Sequence, residues 1–166
     1  MRAFRVAGPE DAATLLPLVD GLADFEHLPR PDAAARERFV RDLAASPPLF
    51  HALLCEEDGV PAGYAIWFNT YSTFLARPSL YLEDLFVLPE YRSQGIGRAF
   101  LIELCARALG SGCGRLEWQV LGWNRHAIDF YQALGAEQQR DWLPYRLGRQ
   151  QMERLAAEAG PPEPRP

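Results

Sequence analysis

The sequence predicts a mixed α/β fold, in which strands and helices follow one another along the chain. Three observations predict it. Tyr81–Leu88 is apolar and β-rich, and it runs through Pro89 and a glycine turn into a segment with Ile96, Phe100, Leu104 and Ala108 at helical spacing. Asp58-Gly59 sits between two apolar runs as a hairpin signal. Asn124 and Gly135 bracket a further segment as an N-cap and a C′ residue.

Taken in order, Arg2–Ala7 reads as a first strand, and Gly8-Pro9-Glu10-Asp11 is a helix start. That helix carries Leu15, Leu18, Val19 and Leu22 to about Phe25, and His27–Pro31 breaks it. Asp32 caps a second helix, 33–45, ended by Ser46-Pro47-Pro48. Residues 49–55 and 61–71 form a hairpin about Asp58-Gly59, and in the second strand Ala62, Tyr64, Ile66 and Phe68 alternate with smaller residues and Trp67. Residues 72–79 read as a loop before the central strand 81–88. Residues 115–121 read as a strand and 125–134 as a helix. Residues 138–139 and 142–147 read as two short last strands, and 150–158 as a terminal helix. The expected organisation is a single domain over 1–158, with a disordered Pro-rich tail over 159–166.

The turn between central strand and helix carries the chemistry. At Gly95 and Gly97 no Cβ shields the backbone, and the first N–H groups of a helix lack intrahelical partners. The helix dipole adds positive potential, so the turn suits a phosphate or pyrophosphate, with Arg92 and Arg98 nearby. A Rossmann dinucleotide turn fits poorly. The third glycine position is Phe100, and Pro89–Gln94 separate strand from glycines. A Walker lysine is excluded, since the chain contains no lysine.

Arg92-x-x-Gly95-x-Gly97 after an apolar strand resembles the acetyl-CoA motif of the GCN5-related N-acetyltransferases. Trp123-Asn124 with Ala127–Ala136 resembles the second signature of that family. Tyr81–Val87, Trp123-Asn124 and Asp141-Trp142-x-x-Tyr145-Arg146-Leu147 together resemble its diamine (spermidine/spermine) and thialysine branch. The resemblance spans residues 4–155 and implies a mixed, mostly antiparallel sheet of six or seven strands, flanked by helices and splayed between the fourth and fifth. It implies acetyl transfer from acetyl-CoA to a primary amine of a small cationic acceptor in a ternary complex. A cytoplasmic homodimer is expected.

The resemblance also assigns roles. The cofactor would lie on the backbone of Leu85, Phe86 and Val87, on Arg92, Ser93, Gln94, Gly95, Ile96, Gly97 and Arg98, and on Asn124, Arg125, His126, Ala127 and Tyr131. The acceptor would meet Phe25, Glu26, Glu83, Asp84, Glu117, Trp118 and Gln119. An alkylammonium of pKa ~10 has no free lone pair, so the amine needs a base, here Glu83. Strict alternation sends Glu83 and its neighbour Asp84 to opposite faces. The oxyanion needs a donor, and a β-bulge near Phe86 would free one. Tyr131, two turns after Asn124, is the expected proton donor to the thiolate.

Composition limits the alternatives. The net charge is −5, with 7 arginines against 12 acids in residues 1–83 and 10 against 10 afterwards. A basic face for nucleic acid is missing, and no run approaches a membrane span. An acidic first half suits a cationic partner. The odd cysteines Cys55, Cys105 and Cys113 and the histidines His27, His51 and His126 have no metal-ligand spacing, so no metal is expected. One departure from the diamine branch is the loop Thr70–Arg77, which has no acid and one arginine, weighing against long polyamines. Two other readings stay open: acetylation of a protein lysine or N-terminus, and a non-catalytic CoA-binding module.

Overall fold

The structure, a computed structural model, describes residues 1–158. The expected tail at 159–166 lies outside the described residues. The chain divides into two compact units, Met1–Gln119 and a second from Val120 onward.

The first unit is a five-stranded sheet in sequence order: β1 (Arg2–Ala7), β2 (His51–Glu57), β3 (Val60–Ser72), β4 (Arg77–Val87) and β5 (Leu116–Trp118). The first four strands pair antiparallel, and β5 joins β4 in parallel. The sheet is therefore mixed and mostly antiparallel, with five strands where six or seven were expected. Residues 138–139 and 142–147 form no strand. The hairpin between β2 and β3 turns at Asp58 (φ 50) and Gly59 (φ 79), two left-handed residues in a row.

Helices α1 (Ala12–Phe25) and α2 (Ala33–Leu43) cover one face. Leu15, Leu18 and Leu43 cluster there with Ala52, Leu54, Tyr64, Ile66 and Phe86. A Cβ at Gly21 would lie 2.9 Å from the Phe86 ring, so this glycine lets α1 sit close on the sheet. Asp32 caps α2 by accepting from Ala35 N at 2.7 Å.

Helix α3 (Ile96–Gly110) covers the other face and makes the crossover from β4 to β5. Its stripe Ile96, Phe100, Leu104 and Ala108 is buried, as the spacing predicts. Phe100 meets Phe4 edge-on at 4.9 Å and would touch a Cβ at Gly63.

The central strand starts four residues before the sequence suggests. Pro78 and Ser79 look like loop residues, yet they pair with Tyr71 and Thr70, leaving only Thr73–Ala76 as the turn. The buried Ser79 hydroxyl accepts from Arg115 Nε at 3.2 Å, which makes a polar residue tolerable inside the strand.

The second unit holds α4 (Arg125–Ala133) and α5 (Arg149–Ala157). Asn124 Oδ1 accepts from Ala127 N at 3.2 Å, and Gly135 (φ 87) ends α4, both as expected.

Candidate functional site

Two backbone features shape the site on the first unit. The β4–β5 pairing covers only Leu80–Leu82 against Leu116–Trp118, so among the described residues Glu83–Val87 have no strand partner on that side. The sheet is splayed where the fourth strand leaves the fifth. In the β3–β4 ladder Ile66 pairs with Asp84 but Trp67 pairs with Leu82, which makes Glu83 an extra residue, a bulge.

The bulge overturns the alternation argument for the two acids. Leu82 lies opposite Trp67, whose ring carries Arg107 of α3 at 5.7 Å, so Leu82 belongs to the α3 face. Glu83 therefore takes the α1/α2 face. Past the bulge Asp84 takes it too, and accepts a hydrogen bond from the buried Tyr64 hydroxyl at 3.1 Å. One extra residue thus puts neighbouring carboxylates on one side of the sheet.

Asp84 is the perturbed group. Burial, chiefly, pushes its carboxyl up to about 6. The Tyr64 bond opposes the rise, and the charges of Glu83 and Glu26 add to it. Glu26 caps the end of α1 and is itself raised by burial. Tyr64 is held well above the phenol range by burial and by the charge of Asp84. Glu83 is exposed, and its charge and that of Glu117 help raise Tyr81, after burial. Glu26, Glu83 and Asp84 form an acidic patch over Tyr64.

Glu117 is paired with Arg115 at 3.0 Å, Trp118 is half-buried on β5, and Gln119 is exposed just beyond it. Tyr64 is the residue that sequence reasoning missed. Its place on an alternating strand marks it as core, and only the strand register brings its hydroxyl to Asp84.

The glycine turn leaves backbone donors open at a helix start. Gly95 (φ 79) starts α3 with no side-chain cap, and a Cβ there would meet nothing within 4 Å. The first intrahelical bond is Ala99 N to Gly95 O at 3.0 Å, so the N–H groups of Ile96, Gly97 and Arg98 stay open at the helix start. Leu85 and Val87 are half-buried and Phe86 is core.

Arg92 is anchored at the turn through its Nε. Its Nε donates to Val87 O at 2.9 Å, and its guanidinium lies over Phe25 at 4.8 Å and Phe86 at 5.6 Å. It ties the end of α1 to the turn. Gln94 folds back to Glu90 O at 3.1 Å, Ser93 (φ 60) shapes the turn, and Arg98 is exposed at the start of α3.

On the second unit, Tyr131 is half-buried, and burial raises its phenol above the ordinary value, so it is protonated at neutral pH. Arg125 and His126 are exposed at the start of α4, and Ala127 is half-buried.

A model of the acetyltransferase (GNAT) family matches residues 17–136. The chain belongs to the GNAT family. It is an acetyltransferase enzyme. It is 34% identical over 164 residues to thialysine N-epsilon-acetyltransferase of Bos taurus, covering 92% of this chain and 96% of the relative. Over 90 residues it is 40% identical to an L-ornithine N5-acetyltransferase of Arabidopsis thaliana, covering 54% of this chain and 40% of that one. Among solved structures, an integron cassette protein from the mobile metagenome of V. cholerae superposes with a TM-score of 0.79 at 21% identity, covering 93% of this chain and 97% of the other. Membership of the diamine/thialysine branch follows from the first of these relatives and from a spermidine/spermine acetyltransferase-like protein of Homo sapiens, 27% identical over 165 residues, 93% of this chain and 24% of that one. Among the described residues no metal-binding cluster occurs, and no helix is long and apolar enough to cross a membrane.

Proposed function

We propose that this GNAT enzyme transfers acetyl from acetyl-CoA directly to the side-chain amine of a small cationic acceptor. Amino acids of the thialysine or ornithine type are favoured over long polyamines. The observation that carries the reading is the acidic patch formed by Glu26 at the end of α1 with Glu83 and Asp84 on β4, the strand that runs, past its unpaired edge, into the open start of α3.

Acetyl-CoA supplies an activated thioester and a diphosphate. The N–H groups at Ile96–Arg98 and the Arg98 side chain suit the diphosphate, and the free edge Glu83–Val87 suits the extended arm that reaches back along β4. Glu26 and Asp84 hold the acceptor's ammonium. Glu83, the exposed member, takes its proton, through water. Nitrogen then bonds to the acetyl carbon, a backbone N–H near Phe86 bears the oxyanion so formed, and its collapse breaks the carbon–sulfur bond while the nitrogen's second proton passes to solvent. Tyr131 donates its phenol proton to the leaving thiolate. Its raised pKa supports this, and the assignment rests on family membership.

The names of the relatives support side-chain amines of amino acids. The β3–β4 turn Thr73–Ala76 carries no carboxylate, which supports a short acceptor. A homodimer is the proposed state. Trp142, Leu143 and Tyr145 are 75%, 72% and 92% exposed, an apolar run that a second copy would cover. The cytoplasm is the proposed location, consistent with three free cysteines. Thiol release from acetyl-CoA over thialysine, ornithine, lysine, short diamines, spermine and peptides tests the reading. Turnover is expected to be greatest with the amino acids. Turnover on peptides alone would replace it with a protein acetyltransferase, and CoA binding without turnover on any amine would leave a binding module.

A further inference from the structure

On the α3 face of the sheet, at the end away from the glycine turn, lies a cavity of about 400 Å³, within the size range of small-molecule sites. Along α3 the rise of ~1.5 Å per residue puts Arg107 about 18 Å from Gly95. The acetyl-transfer groups described above do not include this cavity.

Its lining has a consistent chemistry. Trp67 forms an aromatic wall, with the His51 ring stacked on it at 5.3 Å and 24°. Val6 and Leu80 add aliphatic surface. Among the described residues the polar side chains of the lining are those of His51, Asn69, Arg107 and Ser111, each with an N–H or O–H to donate, and none is a carboxylate.

Arg107 stands out among them. Its Nε is buried and, among the described residues, has no hydrogen-bond partner. Its nearest acid is Glu103, at 3.8 Å, beyond hydrogen-bond range. The guanidinium is held mainly against the Trp67 ring, at 5.7 Å. A half-neutralised cation with unspent donors, beside an aromatic wall, is the environment that a planar carboxylate satisfies, because its two oxygens match the guanidinium fork.

We propose that this cavity is an accessory binding site for a small aromatic monocarboxylate. The carboxylate pairs with Arg107, with help from Asn69 or Ser111, and the ring lies against Val6 and the His51 ring that covers Trp67. Glu103 competes for the same cation.

Benzoate is the probe, titrated by calorimetry into the full chain already saturated with CoA. Benzamide, with the same ring and no charge, is the control. Benzoate should bind saturably and benzamide should not. Arg107→Met should weaken benzoate at least tenfold and leave CoA affinity unchanged. Glu103→Gln should tighten benzoate several-fold, and it keeps the test alive if the first variant fails to fold. The proposal is overturned if benzoate gives no saturable heat, if benzamide binds equally, if CoA displaces benzoate, or if Glu103→Gln weakens it.

Discussion

Replacing Asp84 by Asn should stabilise this protein at neutral pH while impairing it as an enzyme. Asn keeps the size of the side chain and an oxygen to accept the Tyr64 hydroxyl, so the 3.1 Å bond survives. What it removes is a carboxylate whose folded-state pKa lies at about 6 against an ordinary 3.8. The folded state therefore keeps a proton that the unfolded chain has already released. Below pH 3.8 both states are protonated and the group costs nothing. Through the interval up to about 6 the cost of ionising it in place grows, and above that it is constant, on the order of 3 kcal/mol. Urea unfolding of wild type and Asp84→Asn at pH 4 and pH 7.5 reads this directly. The variant should gain on the order of 3 kcal/mol at pH 7.5 and close to none at pH 4. Acceptor KM should rise in the same variant, because one of the charges facing the ammonium is gone. Equal stability at pH 7.5, or the same gain at both pH values, would refute the burial argument.

Three further outcomes are expected. Gly95→Ala meets no atom within 4 Å but sits at φ 79, so urea unfolding should show a loss of about 1 kcal/mol, while CoA affinity falls by about tenfold or more as the methyl enters the anion space; unchanged CoA affinity would remove the turn from cofactor binding. Glu83→Gln, at an exposed position, should leave stability within about 0.5 kcal/mol and cut kcat/KM most at low pH, where free amine is scarce. A flat ratio to wild type across the pH–rate profile would show that Glu83 is not the base. Tyr131→Phe should lower kcat with CoA affinity unchanged, and an unaltered kcat would free Tyr131 from the proton transfer.

Local signals were legible and long-range ones were not. Ile96, Phe100, Leu104 and Ala108 are buried because a helix seated on a sheet must hide one stripe, and the period of that stripe is written in the sequence. Asp32, Asn124 and Asp58-Gly59 act within three residues of themselves, and each does what its chemistry predicts. Ser79 misleads, because its hydroxyl is satisfied by Arg115, thirty-six positions away. Tyr64 hides for the same reason, with its partner twenty positions on. Arg92 sits in the cofactor motif, but the rings it lies on come from α1 and β4, and no local pattern announces them. The expected last strands are absent where Trp142 and Leu147 are exposed, since a strand there would need a sheet edge to bury them against.

The bulge is where these scales meet. With Glu83 taken out, Leu82 opposite Trp67 and Asp84 opposite Ile66 would form an unbroken ladder, so Glu83 is an insertion into an otherwise regular pairing. Deleting it is therefore a different perturbation from Glu83→Gln. The deletion should leave the α1 and α3 faces as they are, since Leu82, Asp84 and Phe86 already have the parity a regular strand requires. It should therefore fold, with a native circular dichroism spectrum and a cooperative urea transition. Its activity should fall below that of Glu83→Gln, because the twist that parts β4 from β5 goes along with the carboxylate. CoA affinity separates the two effects. A drop in the deletion but not in Glu83→Gln assigns cofactor binding to the backbone edge that the bulge opens. A deletion that keeps the affinity and activity of Glu83→Gln would mean that the carboxylate alone mattered and the bulge is incidental.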